Sequence, residues 1–424
     1  MSSPPECSLE SLDFAQFVRP GDGVVWGQVS SEAVPLSSRL MQQRASIGNF
    51  SVFLGATFSD TLNPSYADCV TFNAFGGIGN NRALAKAGVL QIIPLQLSNI
   101  PPYIDQGLIR SDVALVQMTE EDDGSYGFAV GSDYIVAAAL KARVVIGEIN
   151  AQAPHTFGPH RIPREKIGCL VRTDHPVMPI PAARVGPVEQ KIAAFAGEFI
   201  LDESILQVGI GAVPEAIMST LRDRRDLGIH SGMIGDSVAE LVEAGVITNA
   251  CKPIDRGVTV TGMLGGTERL YRFAHRNPAL QMHTVSYTHD AGILASLPRL
   301  ISINSAVEVD LAGQANSEVV GGLNIGAVGG SLDYVRGAHR SPGGHSIIAL
   351  PSATPDGKIS RIVARLGGPA STPRSDVDVI VTEYGAARLR GRSLSQRAQA
   401  LIAIAHPDHR EALARAAHDL SRLC

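Results

Sequence analysis

Residues 202–221 read DESILQVGIGAVPEAIMSTL, and residues 21–40 read GDGVVWGQVSSEAVPLSSRL. Each is a short apolar run, a glycine turn, a Val-Pro pair and a helix-like stretch ending in leucine. Pro35 and Pro214 suit the first turn of a helix, where a missing N–H costs nothing. A second pair of similar stretches, RSDVALVQ from Arg110 and RSDVDVIV from Arg374, follows in the same order in each half. An ordered pair of such echoes points to duplication. The expectation is two related open α/β domains.

The rest of the chain supports that class. Continuous apolar runs such as SVFLGATF, ARVVIGEIN, HSIIALPS and VDVIVTEYG alternate with Ala- and Leu-rich helical stretches. Strands apolar on both faces, joined by helices, indicate largely parallel sheets. The Pro-rich, weakly periodic segment VRTDHPVMPIPAARVGP (171–187) reads as the linker. It sets an N-terminal domain at 1–187 and a C-terminal domain at 188–424.

Composition excludes several function classes. The 424 residues are 45% hydrophobic and 18% charged, with a formal charge of −5; an acidic balance argues against nucleic acid as a partner. No apolar run is long enough for a membrane span, and the opening residues lack a secretory pattern. Cys7, Cys69, Cys169, Cys251 and Cys424 are scattered without metal-like spacing, so the expectation is a reduced, cytoplasmic protein with no metal.

Three glycine-rich stretches stand out: 72–84, 208–217 and 321–347, the last with eight glycines in 27 residues. The second fails as a dinucleotide fingerprint, because Pro214 stands where its third glycine belongs. In the third, backbone N–H groups beside a strand can be presented to an anion or a developing oxyanion, although tight turns alone also use glycine this way.

The segments SINSAVEVDLAGQANSE (302–318), GGSLDYVRGAHRSPGGHSI (329–347), ALPSATPDGKISRIV (349–363) and VIVTEYGAARLRGRSLSQRAQALIAIAHPDHREAL (379–413) resemble the acetyl-CoA hydrolase/transferase family, which includes 4-hydroxybutyrate and butyryl-CoA:acetate CoA-transferases. The resemblance implies acyl-CoA thioester as substrate, a small carboxylate as acceptor, no permanently bound cofactor, and a homodimer or larger homo-oligomer. It implies covalent catalysis through a glutamate. It also implies Gly329 and Gly330 as oxyanion donors and Gly326 and Gly344 as loop glycines near CoA. Arg336 and Arg340 are the candidates for the CoA phosphates.

Where the family carries its glutamate, this chain reads GIHSGM (228–233), with Gly232 in the nucleophile's place and His230 and Ser231 beside it. Two histidines enter the same set of motifs: His289 in SYTHDAG, and His345 in GGHSI where the family has lysine. Histidine titrates near neutrality and is a common general base. The favoured expectation is therefore an enzyme on acyl-CoA thioesters that works hydrolytically, with His289 and His345 as catalytic residues. CoA transfer through another residue, or by direct attack of the acceptor, is the alternative; a non-catalytic acyl-CoA-binding protein is the third. Glu32, Asp236, Asp333 and Glu383 are weaker substitute nucleophiles, because none stands at the glutamate's position.

Overall fold

The apolar run Gly23–Trp26 forms β1, buried along its whole length. Val24 lies in register with Val52 of β2 (Phe50–Leu54) on one side and with Val113 of β5 (Val113–Glu120) on the other. This computed structural model describes residues 4–181 and 183–421; Cys424 lies outside them. The remaining strands of this first unit are β3 (Val70–Ala74), β4 (Leu90–Ile92), β6 (Tyr126–Phe128), β7 (Val144–Asn150) and β8 (Ile167–Thr173). Their order is β4-β3-β2-β1-β5-β7-β8, all parallel, with β6 antiparallel on β5. The helix Val34–Ile47 follows β1, carries Pro35 in its first turn and packs Leu36, Leu40 and Met41 onto the core around Trp26 and Phe72.

The second unit repeats the plan. The strands it gives to its large sheet are β9 (Ile205–Val208), β10 (Gly228–Ser231), β11 (Leu300–Asn304), β12 (His345–Ala349), β13 (Val379–Thr382) and β14 (Gly385–Arg388). They run β10-β9-β11-β12-β13-β14, with only β14 antiparallel. The series β2-β1-β5-β7-β8 thus matches β10-β9-β11-β12-β13 strand for strand. The architecture is α/β, with two related open sheets. Gly211, at φ +124°, makes the turn from β9 into the helix Ala212–Ser219. A side chain there would be strained.

Two details differ from the sequence reading. The chain passes from one unit to the next at Pro181/Ala182, inside the Pro-rich segment, but Val260–Thr288 belongs with the first unit. Backbone hydrogen bonds made by Ser132 and Ile180 to Gly262 and Gly266 tie it there, so the second unit is not one continuous stretch from 188. The echo between residues 21–40 and 202–221 pairs equivalent strands, β1 and β9. The RSDV echo does not: RSDVALVQ enters β5, whose counterpart is β11, whereas RSDVDVIV enters β13. Two strands that start from the same turn chemistry look alike without being equivalent.

Trp26 is the chain's one tryptophan and is 1% exposed. Trp26→Ala is expected to destabilise the first unit by about 3–5 kcal/mol. Urea denaturation followed by circular dichroism checks this, with Trp26→Phe losing much less.

Candidate active site

In an open parallel sheet the crevice lies at the carboxyl ends of the strands, where the strand order reverses. In the second unit that point is between β9 and β11. Here Gln207 of β9 and Ser302 and Asn304 of β11 form a polar cluster. The Ser302 hydroxyl and the Asn304 amide donate to Gln207 Oε1 at 2.8 and 3.1 Å. Sequence reasoning missed this cluster, because alternate polar residues in a strand read as ordinary sheet positions.

Gly232 directly follows β10 at the same end. Ser231 is committed to holding the turn: its Oγ donates to Met233 O at 2.7 Å and accepts from Val208 N at 3.2 Å. His230 is fully buried. Ser231 is thus part of the loop's scaffold.

His289 is the residue that meets Gly232. Asp290, whose carboxylate accepts from the N–H groups of Gly292 and Ile293 at 2.8 Å, caps the helix Ala291–Ser296 and fixes the chain next to His289. A Cβ built on Gly232 would stand 2.7 Å from Cε1 of His289, 3.1 Å from its Nε2 and 3.6 Å from the Tyr334 hydroxyl. A Cβ on Gly330 would land on His289 Nε2. The imidazole therefore fills the room that two absent side chains leave. Tyr334 covers it, ring centroids 4.7 Å apart at 58°. Burial drives the pKa of His289 down to about 3, so the ring is neutral at physiological pH. Tyr334 reads as a core aromatic in the sequence; its signal is the four-residue spacing from Gly330, which puts it one helical turn away.

Gly329, at φ +55°, and Gly330 lead into the helix Ser331–Arg340. That backbone end carries the partial positive charge of a helix N-terminus. The same helix separates the predicted residues. Ten residues at about 1.5 Å each span about 15 Å, and Arg340, Gly344 and His345 lie at its far end. His345 begins β12, at the amino end of the sheet. Its Nδ1 is 2.9 Å from Asp378 Oδ2, and its ring packs edge-on against Phe199. Burial would raise the pKa of Asp378, but the bond to His345 and the charge of Arg390 outweigh it and hold the pKa low. Arg336 is paired with Asp376 at 2.8 Å.

Gly344 closes the turn after the helix, donating to Ser341 O at 3.0 Å. Gly326 is glycine because Ser317 O occupies the space of a Cβ. One helix length thus lies between Gly330 and the Arg340–His345 end, although His345 was expected to join Gly232. Gly232, His289, Gly330 and, unforeseen, Tyr334 are brought together.

The described residues match known proteins along nearly the whole chain. The family description "Acetyl-CoA hydrolase/transferase C-terminal domain" matches residues 266–417. A 4-hydroxybutyrate coenzyme A transferase of Clostridium kluyveri is 41% identical over 338 residues, 79% of each chain. The chain belongs to the acetyl-CoA hydrolase/transferase family. Solved structures agree: RipA from Yersinia pestis superposes with a TM-score of 0.92 at 31% identity, covering 96% of both chains. A 4-hydroxybutyrate CoA-transferase from Porphyromonas gingivalis does so with 0.83 at 33%, covering 99% of this chain and 98% of that one. This chain is accordingly an acyl-CoA hydrolase or CoA-transferase. No helix among its described residues is long and apolar enough to cross a membrane.

Two outcomes are expected from this packing. Gly232→Ala puts a methyl against His289 and should cost about 1–3 kcal/mol by overpacking. Gly232→Glu should do at least as badly and gain no CoA transfer, whereas the double variant with His289→Ala should recover stability; thermal melts and turnover check both. The second concerns pH. His289 has a folded pKa near 3 against an ordinary 6.5, so its neutral burial is fully tolerated above pH 6.5. As pH falls towards 3 the unfolded chain takes up the proton first, removing up to about 1.4 kcal/mol of stability per pH unit. His289→Asn should flatten that acid limb in denaturant titrations between pH 7 and 4.

Proposed function

We propose that the chain transfers CoA from an acyl-CoA to a small carboxylate without an enzyme-bound acyl intermediate. One observation carries this reading: the space at Gly232 is filled by the neutral imidazole of His289, which supplies neither a nucleophile nor an effective base. A catalytic base works best with a pKa near the operating pH, and a ring that takes up a second proton only below about pH 3 is far from that. The hydrolytic route expected from the sequence requires such a base to activate water. Direct attack by a carboxylate requires none.

In the proposed sequence, an oxygen of the acceptor carboxylate attacks the thioester carbonyl carbon. The C–S bond breaks, CoA leaves as thiolate and a mixed anhydride forms. The thiolate then attacks the acceptor's carbonyl carbon, the C–O bond breaks, and the donor acid leaves with one oxygen from the acceptor. No net proton moves. The negative oxygen that develops at each carbonyl is met by the amides of Gly329 and Gly330 and by a hydrogen bond from the neutral ring of His289. A buried neutral imidazole is suited to donating one without delivering its proton. Gly232 leaves the ring the room to be there. The relatives named as CoA-transferases support transfer as the chemistry. The acyl chain and acceptor are proposed to be short, and the working form a homodimer or larger homo-oligomer in the cytoplasm.

A single-turnover reaction with excess protein, butyryl-CoA and ¹⁸O-acetate tests the route. Butyrate carrying ¹⁸O in the first turnover is expected. Unlabelled butyrate with acetyl-CoA formed would show passage through a protein carboxylate, and free CoA released without acetate would establish hydrolysis. Unchanged butyryl-CoA under all conditions would establish the non-catalytic reading.

A further inference from the structure

The helices Leu394–Ala403 and Arg410–Ser421 pack on the second unit's core through Leu401, Ile404 and Leu413. On another side they do not close. Leu394, Ala398 and Ile402 follow one another at four-residue spacing on the first helix, and Ala414 and Ala417 face the same space from the second; each set shares a face. With Leu366 they line a cavity of about 740 Å³. That size is typical of a site for a small organic molecule. None of Gly232, His289, Gly330 and Tyr334 lines it, so it is separate from the site described above.

The charge around this apolar space is one-sided. Arg365 and Arg374 belong to its wall, and neither has an ion-pair partner among the described residues. Arg397, 9% exposed, adds a third guanidinium nearby, bonded among the described residues to the carbonyls of Arg392, Ala312 and Arg374. Burial, then the positive charge of Arg374, weakens its hold on its proton. Among the described residues of the wall the one acid, Asp310, is already engaged: its carboxylate accepts from the backbone N–H of Ala312 and Gln314 and from the Gln314 side chain at 2.7–3.0 Å. Cations without ion-pair partners among the described residues, beside an alanine- and leucine-lined hole, suit a ligand with an anionic head and a hydrocarbon body.

We propose that this cavity is a second ligand site, for a medium-chain carboxylate whose tail enters between the two helices while its carboxylate meets Arg365 and Arg374. Guanidinium groups match a planar carboxylate by paired hydrogen bonds, and the small side chains leave the tail its volume.

Calorimetric titration of the intact chain with decanoate, decanol and acetate tests it. Decanoate should bind, decanol at least about tenfold more weakly for want of the charge pair, and acetate not at all. Arg365→Glu with Arg374→Glu should weaken decanoate at least about tenfold and leave decanol unchanged. Ala398→Phe, which fills the cavity, should abolish both. The arginine variant should keep its acyl-CoA turnover, so the outcome is independent of the catalytic route. Absence of decanoate binding at millimolar concentration, equal affinity for decanol, or decanoate binding unchanged in both variants would overturn the proposal.

Discussion

A parallel sheet wound outwards in both directions from one strand leaves its crevice at the carboxyl end of that strand, and this constraint governs both units. In the second, β9 pairs with β10 on one side and β11 on the other. Every loop that leaves a carboxyl end nearby must then pass the same place. Gly232 after β10, the Gln207–Ser302–Asn304 cluster and the glycine pair before Ser331 all follow from that winding. Residues at the opposite ends of the strands, His345 at the start of β12 among them, lie away from it.

Within that crevice the decisive contact is steric. An imidazole can lie against Gly232 and Gly330 only because neither has a Cβ, with separations for a built carbon of 2.7 Å or less. The same enclosure strips water from His289 and makes it neutral. One packing event thus removes a side chain's worth of room from the loop and a base from the chemistry. In the proposed route it also leaves a hydrogen-bonding ring beside the backbone end assigned to the oxyanion. The route proposed for CoA transfer rests on this combination, since a carboxylate acceptor brings its own nucleophile.

His345 illustrates a different outcome for the same residue type. Half-exposed and held by the low-pKa carboxylate of Asp378 beside Arg390, it belongs to a polar network that joins the starts of β12 and β13. The carboxylate of Asp378 and the edge-on ring of Phe199 are its partners there. The cations at the second unit's outer helices behave in the opposite way. Arg365 and Arg374 have no ion-pair partner among the described residues and stand beside an apolar space, the imbalance on which the proposed second site rests.

Much of the fold was legible in residue order alone. Alternation of apolar runs with helix-forming stretches dictates parallel α/β layers, because strands buried on both faces must be apolar throughout. The likeness of residues 21–40 to 202–221 marked a real structural repeat, while the RSDV likeness reflected only shared turn chemistry. The sequence by itself also determined that Gly232 has no group with which to attack a thioester. Tertiary structure alone decided which histidine stands beside it. The helix Ser331–Arg340 carries the chain about 15 Å from Gly330 before Gly344 and His345 appear, so neighbours in a motif become opposite ends of a layer. His289, remote in sequence from both glycines, is brought between them, because strand order rather than chain distance fixes which loops meet.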